Sequence, residues 1–124
     1  MGKRIQHYRD LIAWQKAMAL AERIYGATKL LPRSEERGLK QQLRRAAISV
    51  PSNIAEGYGR GSRRDYIAFL RTARGSLYEI ETQVLLAKKL KYLTEPQAAS
   101  LLEDSAECSR LLNGLIGSLR DKGR

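Results

Sequence analysis

The stretch SRRDYIAFLRTARGSLYEIETQVLLA, Ser62–Ala87, decides the fold. Tyr66, Leu70, Ala73, Leu77, Ile80, Val84 and Ala87 advance by alternating steps of four and three, which lines them up on one side of an α-helix. No part of the chain alternates at period two for long enough to suggest a strand. Ser62, with Asp65 three residues on, resembles a capping box in which Asp replaces the usual Glu. A long helix with a single apolar stripe must bury that stripe against other helices.

Working outward, three more helical segments supply them. N-terminal to Ser62, the residues Leu39, Leu43, Ala46, Val50 and Ile54 form a second stripe. Ser34 is the expected N-cap of that helix, with Glu35 and Glu36 in the first turn where the helix dipole favours negative charge. Pro51 lies inside it and has no N–H for the carbonyl of Ala47, so a kink or short break is expected. Gly57, Gly59 and Gly61 end the segment, one of them in the left-handed conformation. Before it, Leu11, Trp14, Met18, Ala21 and Tyr25 are read as the stripe of a first helix spanning about Asp10 to Lys29, with Asp10 as N-cap and Pro32 as the stop. After Ala87, Thr94 and Gln97 make a true capping box, and Pro96 sits in the first turn, where its missing N–H has no helical partner to lose. Ala98, Leu101, Cys108, Leu112, Leu115 and Leu119 carry the fourth stripe. Helices of about twenty residues joined by short loops pack as antiparallel neighbours. The fold expected is all-α, an antiparallel up-down-up-down four-helix bundle whose second helix is kinked at Pro51. Residues 1–124 form a single domain, with an ordered core over about 8–119 and flexible termini.

The 124 residues suffice for one core. One cysteine, Cys108, excludes an internal disulfide and a Cys-based zinc site. The polar, basic start has no following apolar segment of the secretory kind, and no apolar run approaches membrane-spanning length. A cytoplasmic protein without membrane contact is expected.

The third helix carries a second pattern. Ala68, Gly75 and Thr82 fall seven apart on the side away from its core stripe, with Leu86 one turn beyond and Ile67, Tyr78 and Leu85 flanking them. Small residues at this spacing let another helix approach closely. Gly75 inside a helix costs roughly 1 kcal/mol against Ala, which a subunit contact would offset. These seven residues are the expected oligomer interface, against the plainer reading of an ordinary solvent-exposed face.

The net charge of +10 is uneven. Residues 1–36 carry +3, residues 37–74 carry +7 and residues 75–124 are neutral. The middle segment holds Arg37, Lys40, Arg44, Arg45, Arg60, Arg63, Arg64, Arg71 and Arg74. Arginine dominates, which suits bidentate phosphate contact, and these nine residues are the expected nucleic-acid-binding set. A solvated helix face, with some arginines paired to Glu35, Glu36, Glu79 or Glu81, is the plainer alternative. No zinc-finger or RNP motif suggests base-specific readout.

Catalytic patterns are missing from the sequence. Gly57-Tyr58-Gly59-Arg60-Gly61 follows a helix and lacks a GK[ST] ending, so it reads as a turn and cap. His7, the only histidine, falls near the N-terminus, which leaves no His-based triad or metal site. Glu79 and Glu81 lack the Glu-x-x-His partner of di-iron bundles. Cys108 lies on a core stripe and reads as a small buried hydrophobe. Neither an enzyme nor a cofactor is expected. Ser49, Asn53 and Glu56 recur at helical spacing among apolar neighbours and read as a structural polar network at the kink, with the Ala47 carbonyl, Ser76 or Tyr78 as partners. A ligand site is the alternative there.

The run Ser49-Val50-Pro51-Ser52-Asn53-Ile54-Ala55-Glu56-Gly57 resembles the central signature of the 23S rRNA intervening-sequence proteins, a family of four-helix bundles. Asp10-Leu11, Trp14-Gln15-Lys16-Ala17, Gly38-Leu39, Gln42-Leu43-Arg44-Arg45-Ala46, Phe69-Leu70, and Ala73 with Gly75-Ser76-Leu77 follow the same pattern in order, from about Tyr8 to Leu119. The resemblance implies a homopentameric ring. It also brings in a related bundle, the accessory protein of diversity-generating retroelements, which binds a reverse transcriptase and nucleic acid through a basic surface. The family as a whole has no established biochemical activity. The expected function is therefore a non-enzymatic oligomeric scaffold that binds RNA or DNA without strong sequence preference. The rival is a protein–protein interaction module that recruits an acidic or enzymatic partner.

Overall fold

The computed structural model describes residues 4–121 and is all-helical over them. Helix α1 is Ile12–Thr28, α2 Leu39–Gly59, α3 Arg63–Lys89 and α4 Glu95–Asp121, with short 3-10 turns at Tyr8–Asp10 and Arg33–Glu35. Each helix packs on its neighbours in the chain and α1 closes against α4, while the diagonal pairs make no close backbone approach. That closed ring of contacts is the expected four-helix bundle. The expectation of flexible ends falls partly on residues 1–3 and 122–124, outside the described residues.

The α3 stripe is the centre of the core. Leu70, Ala73, Leu77, Ile80, Val84 and Ala87 have no exposed surface, and Tyr66 is half-buried at the end. The α2 stripe is buried throughout, joined by Ala47, Pro51 and Gly57. α2 and α3 make the most extensive helix contact in the molecule. Gly57 is one reason: a Cβ there would meet the Phe69 Cβ at 2.7 Å and the Tyr66 carbonyl oxygen at 3.2 Å. No side chain other than hydrogen fits.

The caps follow the sequence in part. Ser62 Oγ accepts from the Asp65 N–H (3.1 Å), and both bonds of the Thr94–Gln97 box form, at 2.8 and 3.3 Å. Gly61 takes the left-handed conformation with φ +84°. Two caps differ from expectation. Asp10 accepts from the N–H groups of Gln6 and His7 and so closes the 3-10 turn ahead of α1. Ser34 lies within the second 3-10 turn, and the first turn of α2 is capped from Glu35, whose Oε1 accepts the Leu39 N–H at 3.0 Å. His7, expected in a flexible stretch, caps the first 3-10 turn through Nδ1.

Two further expectations are corrected and a third is narrowed. α1 buries Ala13, Ala17, Leu20, Ile24 and Thr28 behind Leu11, whereas Met18 and Tyr25 are exposed and Trp14 and Ala21 lie at the margin. Ala13 and Ala17 let the first half of α1 sit close to the bundle, Leu20 and Ile24 fill the seam further on, and Met18 and Tyr25 lie outside it. In α4 the last turns bury Ile116 where Leu115 and Leu119 were expected; those two are only partly covered, and Ser105 joins the core. α2 runs through Pro51 as one uninterrupted helix, so of the kink or short break expected there the break does not occur.

Candidate nucleic-acid interface

The nine cations of residues 37–74 divide into two kinds. Four are held by neighbours. Lys40 pairs with Glu36 at 3.1 Å. Arg44 donates from Nε to Thr28 Oγ1 (2.8 Å) and from Nη2 to the Tyr25 carbonyl (3.1 Å), while its guanidinium stacks 4.4 Å above the Tyr25 ring. It therefore fastens α2 to the end of α1, satisfying a carbonyl that the helix terminus leaves open. Arg60 pairs with Glu56 at 3.0 Å and lies 4.9 Å over the Phe69 ring. Arg74 donates to Asn113 Oδ1 at 2.7 Å, tying α3 to α4.

Arg37, Arg45, Arg63, Arg64 and Arg71 are exposed and have neither an ion pair nor a side-chain hydrogen bond among the described residues. They do not form one surface. Arg37 precedes α2, about 30 Å along the helix axis from the end where Arg63 and Arg64 begin α3. At that second end, Arg63, Arg64 and Arg71 from α3 and Arg120 from the last turn of α4 line, with Ile67, a shallow and open cleft of about 500 Å3. Sequence reading missed Arg120, which lies in the segment of zero net charge. The signal was topological: an up-down-up-down bundle sets the end of the fourth helix beside the start of the third.

The α1–α4 side contrasts with this. Two of its cations are matched, Lys16 with Glu107 at 3.5 Å, and Arg23 with Asp104 and, at 2.8 Å, with Ser100 Oγ, while Arg110 is exposed and unpaired among the described residues. Near the start of α1 a groove of about 680 Å3 runs between Ile5, Leu11 and Ile12 on one side and Leu111 and Leu115 on the other.

On the outer side of α3, Ala68, Gly75, Tyr78, Thr82, Leu85 and Leu86 are all exposed in the single chain, and Ile67 is partly buried. A Cβ on Gly75 would meet nothing within 4 Å, so packing within the chain gives no reason for glycine there.

Ser49 and Ser76 share a hydrogen bond at 2.8 Å, and Asn53 Nδ2 donates to both the Ser49 carbonyl (2.8 Å) and Ser49 Oγ (2.9 Å). This three-residue network joins α2 to α3. Glu56 stands outside it, drawn off by Arg60, and Tyr78 faces outward. Glu81 accepts from the buried Ser105 at 3.4 Å. Burial, then the carboxylates of Asp104 and Glu107, push the Cys108 thiol up to about 11 against the opposing pull of Lys16, so it stays protonated and weakly nucleophilic near neutral pH. Among the described residues, no three His, Cys, Asp or Glu side chains gather as a metal site requires, and no helix is long and apolar enough to cross a membrane.

The fold and this basic end place the molecule among four-helix bundles with a cationic surface, and comparison with known proteins gives the family. Residues 9–114 match the model of the 23S rRNA-intervening sequence protein family. The chain belongs to that family. It is also similar to a solved structure from Bacteroides thetaiotaomicron VPI-5482, a protein of unknown function from the S23 ribosomal protein family. The two share 30% identity at a TM-score of 0.79, over 85% of this chain and 98% of that one. Comparison with curated proteins finds no match. Neither the family nor the solved neighbour is described as an enzyme.

Proposed function

We propose that this protein is a non-enzymatic, oligomeric scaffold in the cytoplasm that binds RNA or other nucleic acid without strong sequence preference. The observation that carries this reading is the set of five arginines, Arg37, Arg45, Arg63, Arg64 and Arg71, exposed and without carboxylate partners within the stretch that holds most of the net charge. An unpaired guanidinium on a helix surface is fully available to a phosphate. The exposed α3 face, with open space around Gly75, supports self-association through its C-terminal half, Gly75 to Leu86. That leaves Arg64 and Arg71, on the N-terminal half of the same side, uncovered, and repetition of the chain would multiply the cationic surface.

The test is fluorescence anisotropy with a labelled RNA oligonucleotide over a salt series. Affinity should fall steeply with salt, because each neutralised phosphate releases counterions. Reversing Arg37, Arg45, Arg63, Arg64 and Arg71 to Glu should abolish binding in a folded protein; Arg44 is excluded because it holds α1 to α2. Salt-independent binding, or none at low salt, would overturn the proposal. A second reading, a module recruiting a protein partner, draws on the exposed Tyr78, Leu85 and Leu86. A stoichiometric protein complex that survives nuclease and high salt would favour it.

A further inference from the structure

The cleft between α3 and α4 joins residues far apart in the chain. Arg63, Arg64 and Arg71 come from the first turns of α3 and Arg120 from the last turn of α4. In the single chain all four are exposed and none is ion-paired or hydrogen-bonded through its side chain among the described residues. The nearest acids in sequence, Asp65 and Asp121, neither line the cleft nor pair with these arginines. The helix ends do not alter the balance: the start of α3 contributes roughly half a positive charge and the end of α4 roughly half a negative one, which cancel. Four full positive charges remain.

What the lining lacks is as telling as what it has. Apart from the arginines, the described wall offers only Ile67. It has no aromatic ring on which a base could stack, and no side-chain acceptor to take a hydrogen bond from a 2′-hydroxyl, the group that separates RNA from DNA. Arg64 and Arg71 are seven residues apart, about 10 Å along the α3 axis, with Arg120 facing them from α4. That layout suits a polyanion lying along the cleft better than a single phosphate.

We propose that this four-arginine cleft is the anchoring site for a nucleic-acid backbone, one that grips consecutive phosphodiesters and does not distinguish RNA from DNA. The proposal rests on the nucleic-acid reading above and narrows it, since it makes Arg120 a principal contact and makes Arg37 and Arg45 secondary.

The experiment compares the full chain with Arg120→Gln, with the quadruple Gln variant at 63, 64, 71 and 120, and with a control Gln variant at 37 and 45. Each is titrated with single-stranded RNA and single-stranded DNA of matched length, after circular dichroism has established that the variant is folded. Arg120→Gln should flatten the slope of log affinity against log salt by about 0.7, and the quadruple variant by about four times that. The control variant should lose less affinity than the quadruple one, and RNA and DNA should bind within about threefold of each other, under the tenfold ratio that 1.4 kcal/mol of discrimination would give. If the native chain binds neither nucleic acid, the broader reading fails and takes this one with it. If the native chain binds and the quadruple variant keeps its affinity and slope, the cleft assignment alone is overturned. A preference for RNA of tenfold or more would likewise overturn the backbone-only site.

Discussion

Gly57 on α2 lies so close to Phe69 on α3 that a Cβ added to the glycine would stand 2.7 Å from the phenylalanine Cβ. Neither atom is the end of a flexible chain, so the helices themselves would have to move apart. Gly57→Ala should therefore destabilise the protein by about 1–3 kcal/mol, read from the urea or thermal midpoint.

Gly75→Ala is the opposite case. Nothing lies within 4 Å of the new methyl group, so the folded chain should gain about 0.5–1 kcal/mol from helix propensity. On the proposed assembly face the same methyl would hold a second helix off. Native mass spectrometry at micromolar concentration should find Gly75→Ala folded but with its oligomer weakened; a monomeric native protein would refute the assembly face.

Lys91 ends α3 with φ +66°. Its N–H bonds the Lys88 carbonyl and the Tyr92 N–H bonds the Ala87 carbonyl at 2.9 Å, a Schellman arrangement with lysine at the position glycine favours. A left-handed non-glycine residue costs about 1–2 kcal/mol. Lys91→Gly should raise stability by about 1 kcal/mol in equilibrium unfolding, with the helical circular dichroism unchanged.

Glu35 serves two elements. One carboxylate oxygen accepts the Leu39 N–H and the other accepts the Tyr92 hydroxyl at 3.1 Å. Glu35→Ala should cost about 1–2 kcal/mol by loss of the cap. Desolvation, then the Glu35 hydrogen bond and charge, raise the Tyr92 hydroxyl above its ordinary value, so ultraviolet titration of the variant should find that tyrosine ionising at lower pH than in the native protein.

Alkaline stability should depend on Cys108. Its thiol is raised from 9.0 to about 11 in the fold, chiefly by burial, so the native state binds the proton more tightly than the unfolded chain. The contribution is intact below pH 9 and is lost as pH rises toward 11. Cys108→Ala should remove that part of the decline, leaving the higher-pH loss from Tyr66, whose hydroxyl is raised to about 12 by burial and by Tyr58. In native protein at pH 8, alkylation of Cys108 should be much slower than in urea.

The α2 and α3 stripes were legible because large aliphatic residues recur there at unbroken steps of three and four. α1 misled for a physical reason: its buried seam holds Ala13 and Ala17, while Met18 and Tyr25, larger and more apolar to the eye, lie outside it, and Tyr25 serves as a platform for Arg44. The candidate interface was legible only as composition. A list of nine cations cannot reveal that Arg44 and Arg74 are tethers, because their partners, Tyr25 and Asn113, are neutral and lie on other helices. Arg120 entered through proximity created by topology, which local periodicity does not encode.

The four guanidinium groups that line the cleft between α3 and α4 carry like charge and repel one another in the unliganded chain, with no carboxylate among the described lining residues to relieve them. Added salt screens that repulsion and so should firm the last turn of α4. The same ions compete with any phosphate chain for the same charges. Folding at this end of the bundle and capture of a polyanion thus respond to ionic strength with opposite signs, so the solution in which the free protein is most comfortable is the one in which it grips least.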